Sequence, residues 1–302
     1  METLLFDARW IEVLSGPVGD TVFALFGMMV QAPAVLALLA LGLWLWSGPP
    51  MDRTIALLVL VTSLQSIEGD LLPLVAGSTM SHPPAVWVPS EAAGLAAALW
   101  VWLAWEGRRW WLSLLAFVMV TGTALMRLYF GLSTPVSVLT GLSQGVALAM
   151  LLGFALGPNA ERWVHVSRPV LAAVTLVGFA LAWGVWMNWP NSPAPLASSS
   201  FLAMGAGWWV GRVLDEGTAG RWQAPTKAWQ KIALGLTGMA LIYAFRAGLT
   251  AAAIALKLPL LAGLLGIGFL TGLAIAGAIP ALARGVLPSG PRRPAPEPRP
   301  QA

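Results

Sequence analysis

The sequence has no cysteine and only two histidines, His82 and His165. Absence of cysteine excludes disulfides, thiolate metal sites and redox-active thiols. The distribution of basic residues along the chain places the two histidines on opposite sides of a membrane, so a metal or catalytic site built from both histidines is not expected. The chain also lacks the phosphate-binding loop G-x-x-x-x-G-K-[ST] and the zinc motif H-E-x-x-H. The sequence therefore predicts neither a bound metal nor a cofactor.

Charged residues are also scarce. They make up 10% of the 302 residues, whereas 58% are hydrophobic. A soluble domain of this length needs far more charge on its surface, so composition indicates a membrane protein. The net charge is +4, but the basic residues stand singly or in pairs in short loops between hydrophobic runs. That distribution is typical of membrane topology signals, and no nucleic-acid partner is expected.

The hydrophobic runs predict an all-α, polytopic bundle of about nine transmembrane helices, because about 20 apolar residues span the hydrocarbon core. The predicted helices lie near residues 21–47, 54–77, 91–105, 110–129, 135–157, 168–187, 199–214, 231–253 and 258–282. The predicted organisation has four parts. These are an amphipathic extramembrane segment (1–20), a five-helix core (21–157), four additional transmembrane helices (158–283) and a disordered, basic, proline-rich tail (284–302).

The basic residues give the orientation. Thirteen of the seventeen Lys and Arg fall in alternate loops and the tail, on one side of the membrane. They are Arg53, Arg108, Arg109, Arg162, Arg168, Arg212, Arg221, Lys227, Lys231, Arg284, Arg292, Arg293 and Arg299. Only Arg9 and Lys257 fall in loops on the opposite side. Positive charge stays in the cytoplasm, so we expect a multi-pass inner (plasma) membrane protein with its N-terminus outside and its C-terminus in the cytoplasm.

The stretch from Met126 to Gly145 places a charge in otherwise apolar sequence and breaks a helix beside it. The charge is Arg127, and an arginine inside the membrane marks a functional site unless it extends to the interface. Both alternatives stay open for Arg127. Pro135 cannot continue a preceding helix, and Gly131 loosens the backbone before it, so a turn between two helices is expected there.

The spacing R-L-Y-x-G-x-x-x-P-x-x-V-L-x-G in this stretch resembles the third motif of the type 2 phosphatidic acid phosphatase superfamily. The positions in register are Arg127, Gly131, Pro135, Val138 and Gly141. The second motif of that family, PSGHA, resembles Pro89-Ser90-Glu91-Ala92-Ala93 at the start of an earlier helix. The charge-derived topology puts both segments on the outer face, where the family keeps its motifs. The glucose-6-phosphatase branch has a similar nine-helix layout, so the resemblance implies a phosphatase-like core.

The catalytic positions of the family are substituted. In the family, the third motif carries a nucleophilic histidine and an aspartate that orients it, and the second motif carries the histidine that protonates the leaving group. The matching positions here are Ser133, Ser137 and Ala92. The first motif, KxxxxxxRP, has no counterpart, because no Lys or Arg lies between residues 55 and 105. By this resemblance the catalytic set is not intact, and Arg127 is left as an anion-binding residue.

Four residues are candidates to pair with Arg127 or to act in a rearranged site: Glu91, Glu68, Asp70 and His82. Glu91 stands where the family motif has glycine, and we expect it to pair with Arg127 directly or through one water. The alternative is that Glu91 caps its helix near the positive end. Glu68 and Asp70 are two residues apart and do not share a helix face, so they are poorly arranged as an acid–base pair.

Two classes of function follow. The first is a non-catalytic, phosphatase-like membrane protein that binds lipids or serves as a subunit beside other membrane proteins, since a serine nucleophile needs a base that the motifs lack. The second is an active lipid-phosphate or isoprenoid-diphosphate phosphatase that recruits His82, Glu68 or Asp70. A lipid transporter is a third possibility, because broken helices near an arginine suit an anionic headgroup. The sequence favours the first class and leans against an enzyme.

The topology generates a testable prediction. A reporter that is active only outside the cytoplasm should work when fused after Ser81, and a reporter that is active only in the cytoplasm should work when fused after Arg221. Fusions of each reporter at the other site serve as controls. The reverse pattern of activities would reject the orientation and would remove both motifs from the outer face.

Overall fold

The computed structural model describes residues 16–46, 48–75, 89–156, 196–219 and 224–286, together with positions 173, 175 and 177. Every regular element in these residues is a helix, which confirms the all-α prediction. In chain order the elements are α1 Pro17–Met29, α2 Ala32–Leu45, α3 Gly48–Val75, α4 Glu91–Gly107, α5 Trp110–Tyr129, α6 Pro135–Leu156, α7 Leu196–Ala219, α8 Ala228–Ala255, α9 Leu260–Leu273, a π-helix Ala274–Ala278 and α10 Ile279–Val286.

Within the described ranges, four helical segments are long and apolar enough to cross a membrane: Trp110–Tyr129, Pro135–Phe154, Ala228–Ala255 and Ala262–Val286. The pair α1 and α2 would form a fifth span if it crosses as one bent unit. This pattern is compatible with a multi-pass integral membrane protein. The nine-span arrangement stays a prediction, since it includes segments outside the described residues, such as 168–187 for the most part.

The predicted first helix, 21–47, is wrong as a single element. The structure divides it into α1 and α2, whose axes differ by 55°. Gln31 has extended backbone angles (φ −71°, ψ 150°) and forms the N-cap of α2, with a proline in the first turn. A proline in the first helical turn needs no partner for a backbone N–H, so Pro33 starts a new helix instead of continuing the old one.

The predicted start of the second helix, residue 54, is also wrong. Helix α3 begins at Gly48, so the segment Gly48-Pro49-Pro50, which the predicted ranges leave between two helices, lies in its first turn. Prolines are tolerated there because the first N–H groups of a helix have no intrahelical partner. The next three helices agree with the prediction to within two residues at each end.

Helix α3 occupies the centre of the packing. It contacts α2, α4, α6 and α7. The largest hydrophobic cluster contains residues of α2, α3, α4 and α7, and Leu58, Leu99 and Trp208 are among its fully buried members. The first and second halves of the chain therefore share apolar packing around α3.

Helix α7 and the long helix formed by α9 and the π-helix pack closely because glycines remove side chains from their crossing. A Cβ atom at Gly207 would collide with the carbonyl oxygen of Phe269, and one at Gly272 would collide with that of Met204. One at Gly277 would lie 3.0 Å from the Cα of Gly211. These glycines therefore serve packing between helices inside the protein.

This crossing gives a prediction with a matched control. Gly207→Ala and Gly272→Ala should each lower the free energy of unfolding by about 1 to 3 kcal/mol, because the added methyl group forces two helix backbones apart. Gly266→Ala, in the same helix as Gly272, should be neutral, since nothing lies within 4 Å of its Cβ position. Thermal unfolding of the purified protein in detergent measures the difference. Equal behaviour of all three variants would contradict the packing described above.

Candidate functional site

The start of α6 and the residue before α4 are joined by a backbone hydrogen bond. The N–H of Ser90 donates to the carbonyl oxygen of Ser137 over 2.8 Å. A Cβ atom at Gly141 would lie 3.0 Å from the nitrogen of Ser90, so a side chain at this position would push the two helices apart. The structure thus brings the two motif-like segments of the sequence into direct contact.

The turn between α5 and α6 carries Ser133 back toward Arg127. Gly131 has a positive φ of 61°, which favours glycine, and the N–H of Leu132 donates to the carbonyl oxygen of Arg127 over 2.9 Å. Pro135 then starts α6. The expected turn is confirmed, and it lies directly after the last turn of α5, which contains Arg127.

A chain of side-chain hydrogen bonds links the two segments. The Nε of Arg127 donates to the hydroxyl oxygen of Ser133 over 3.1 Å, and the hydroxyl of Ser133 donates to that of Ser90 over 3.2 Å. The Nη2 of Arg127 also donates to the carbonyl oxygen of Leu132 over 3.2 Å. Arg127 is half-buried and Ser90 is buried. A guanidinium and two hydroxyls thus meet at one end of the bundle, and all three groups can donate hydrogen bonds to an anion.

Glu91 occupies the first turn of α4, one residue after Ser90. Its negative charge lies close enough to interact electrostatically with the guanidinium of Arg127. The position in the first helical turn also fits the alternative of an acidic residue at the positive helix end. Direct or water-bridged pairing of Glu91 with Arg127 therefore stays a prediction.

The other substituted motif positions lie beside this site. Ser137 is buried, and its N–H donates to the Oγ1 of Thr134 over 3.2 Å. Ala92 is partly exposed and carries no reactive group. The described groups at the site are therefore a guanidinium, hydroxyls and the Glu91 carboxylate, so none of them is an imidazole that would activate a hydroxyl.

The remaining sequence candidates are not brought to Arg127 by the contacts that the structure describes. Glu68 accepts a hydrogen bond of 2.8 Å from the Nε2 of Gln144. Asp70 lies within α3, but its side chain is outside the described residues, and so is all of His82. In the part of the chain that the structure covers, no group of three or more His, Asp or Glu side chains is arranged to hold a metal ion.

Sequence reasoning missed a buried ionic cluster at the start of α3. Asp52 accepts hydrogen bonds from the Nε of Arg212 over 3.1 Å, from its Nη2 over 3.3 Å, and from the Nε1 of Trp208 over 2.9 Å. Beside this pair, Asp215 forms an ion pair with Arg284. Arg53, the residue after Asp52, forms an ion pair with Glu106 near the end of α4.

The expectation that Arg212 lies in a loop is wrong, and Asp215 shares its position inside the bundle. Both residues lie within α7, and their exposed fractions are 0% and 2%. Their spacing with Trp208 held a usable signal, because residues 208, 212 and 215 share one face of a helix. The cluster ties α3, α7 and α10 together, and its described ion pairs balance acid against base, which is typical of a structural role.

Comparisons of the chain with protein-family models, with curated proteins and with solved structures give no significant match.

The charge of Glu91 near Arg127 gives a prediction for a double-mutant cycle. Glu91→Ala and Arg127→Ala should each lower the free energy of unfolding, and the double variant should lose less than the sum, with a coupling of about 0.5 to 3 kcal/mol. Removing one partner leaves the other charge uncompensated, whereas removing both does not. Thermal or denaturant unfolding of the four proteins measures the cycle. Additive losses would leave only helix capping for Glu91.

Proposed function

We propose that this chain is an integral membrane protein that binds the phosphate-bearing headgroup of a lipid and does not hydrolyse it. The site consists of Ser90, Arg127 and Ser133. The observation that carries the proposal is the hydrogen-bonded chain from the guanidinium through one hydroxyl to the other. This chain joins two segments that are distant in sequence, and it aligns donors without a base.

The donor set suits a phosphate group. Arginine binds phosphate through charge-assisted hydrogen bonds, and serine hydroxyls rotate to donate or accept as the ligand requires. Arg127 uses its Nε and Nη2 for Ser133 and Leu132, and it is only half-buried, so its exposed side remains accessible to a ligand. A phosphate that entered there would meet a positive charge at the end of an apolar bundle.

The absence of hydrolysis follows from the groups that replace the catalytic residues of the resembled superfamily. Ser133, at the nucleophile position, has hydrogen bonds to the guanidinium of Arg127 and the hydroxyl of Ser90, and neither partner is a base. Without a base the hydroxyl is a weak nucleophile, and Ala92 supplies no proton to a leaving group. The same donors still bind a phosphate, because binding needs positive charge and hydrogen bonds but no proton transfer.

The lipid source of the phosphate follows from the location of the site. Arg127 is in the last turn of α5, a helix apolar enough to cross a membrane, and Ser133 precedes α6, another such helix. A donor cluster at the end of two membrane-spanning helices lies at headgroup depth, where lipid phosphates are concentrated. A lipid headgroup is therefore the phosphate that this site meets most often.

Lipid binding tests the proposal. The purified protein in detergent should bind phosphatidic acid more tightly than phosphatidylcholine with the same acyl chains, measured by native mass spectrometry or by quenching of a labelled lipid. Arg127→Ala should weaken phosphatidic acid binding about tenfold or more, because a charge-assisted hydrogen bond contributes about 1.5 to 3 kcal/mol. The matched control is Arg109→Ala, which removes an exposed arginine at the other end of α5.

Two results would contradict this function. Equal binding of the two lipids, or equal loss in the Arg127 and Arg109 variants, would show that the site does not select phosphate. Release of inorganic phosphate from phosphatidic acid or undecaprenyl diphosphate above the background of protein-free detergent would show an enzyme instead. If that release disappeared in His82→Ala, the recruited-histidine alternative would replace the proposal.

A further inference from the structure

A second polar cluster lies where α3 passes the crossing of α4 and α6. Glu68 and Gln65 stand three residues apart on α3, so they share one face of the helix. The Nε2 of Gln144, on α6, donates to the Oε2 of Glu68 over 2.8 Å. These residues are separate from the Ser90–Arg127–Ser133 chain, because no hydrogen bond in the described part of the structure joins the two groups.

Gln65 is the unusual member of this cluster. Only 7% of its surface is exposed, and neither its Oε1 nor its Nε2 has a hydrogen-bond partner among the residues that the structure describes. A buried carboxamide without partners has lost its hydrogen bonds to water without replacement, so a group of this kind indicates a bound ligand or water. The Oε1 of Gln144 is also buried and without a partner in the described part of the chain.

The amide of Gln65 lies close to the backbone of this crossing. A Cβ atom at Gly94 would collide with the Nε2 of Gln65 and would lie 3.0 Å from the carbonyl oxygen of Gly141. The amide of Gln65 therefore lies against the bare backbone of α4, close to α6. Gln144 is three residues after Gly141 and lies on the neighbouring part of the same helix surface.

We propose that Gln65, Glu68 and Gln144 bind a monovalent cation, and that sodium is the ion they hold. The three side chains offer one carboxylate and two amide oxygens, and hard cations take oxygen ligands of these types. A carboxylate inside an apolar bundle is costly unless it is protonated, paired or bound to a metal ion. The described partner of Glu68 is a neutral amide, so one negative charge remains to be balanced.

The charge count selects a monovalent ion over a divalent one. A single carboxylate neutralises one positive charge, whereas calcium or magnesium in this set would leave a second positive charge in an apolar environment. Glu68 is partly exposed and Gln65 is buried, so the proposed ligands extend from an accessible carboxylate to an enclosed amide. Two glutamine amides are adaptable ligands, since rotation of an amide exchanges its oxygen and nitrogen.

Sodium dependence of thermal stability tests this proposal. The purified full-length protein in detergent is titrated with sodium chloride against choline chloride at constant ionic strength. At a tenfold excess of sodium over its dissociation constant, the unfolding temperature should rise by about 3 to 6 °C. Glu68→Gln should abolish the rise, and Gln65→Leu should shift the midpoint of the titration to higher sodium by about tenfold. Equilibrium dialysis with radioactive sodium gives a direct count of bound ions.

The matched control is Ser143→Ala, which alters an exposed residue next to Gln144 whose hydroxyl bonds within its own helix, to the carbonyl oxygen of Thr140. It should respond to sodium as the unmodified protein does. A rise that is equal in sodium and choline, or that survives in Glu68→Gln, would overturn the proposal. So would stability that depends on pH but not on sodium, because the site would then hold a proton or water only. If Glu68→Gln fails to fold, Gln65→Leu decides between these outcomes.

Discussion

A carboxylate and a guanidinium meet inside the bundle where α3 begins, and both are withdrawn from solvent. Taking two such ions out of water costs several kcal/mol per ion, which their attraction offsets only when geometry and hydrogen bonding are good. Asp52 meets this condition because two nitrogens of Arg212 and the indole N–H of Trp208 all donate to it. These hydrogen bonds therefore fix the start of α3 against α7. A shift of either helix would separate Asp52 from Arg212 and leave two buried charges unpaired.

The position of α3 fixes what lies around it. Its first turns are held against α7 by the ion pair, and the glycine crossing holds α7 against α9 and the π-helix. The π-helix is itself anchored to α2, since the indole N–H of Trp44 donates to the carbonyl oxygen of Ile275 over 3.0 Å. Glu68 lies about 24 Å along α3 from Asp52, at a rise of 1.5 Å per residue. There it accepts a hydrogen bond from Gln144. One helix thus carries a structural ion pair at its start and an incompletely satisfied polar cluster near its end.

The helices around the candidate site were predictable because local signals mark their ends. Arg108 and Arg109 separate α4 from α5, and Gly131 and Pro135 separate α5 from α6, so hydropathy and turn chemistry agree there. The break between α1 and α2 was missed because both sides of it are apolar, and a hydropathy window does not detect a bend in such a run. Arg212 was assigned to a loop because its partner, Asp52, is 160 residues away. No local pattern reports an ion pair over that separation.

The contact between the two motif-like segments was predictable only through the family resemblance, but its physical basis is visible in the structure. Gly141 allows the backbone of Ser90 to approach α6, and this approach lets the hydroxyls of Ser90 and Ser133 meet. Arg127 completes the chain from the last turn of α5. At the same crossing of α4 and α6, the side chain of Gln65 lies against the backbone of α4 at Gly94, where no side chain intervenes. A single geometric constraint, two helices that meet without side chains between them, therefore brings the polar side chains of both clusters together.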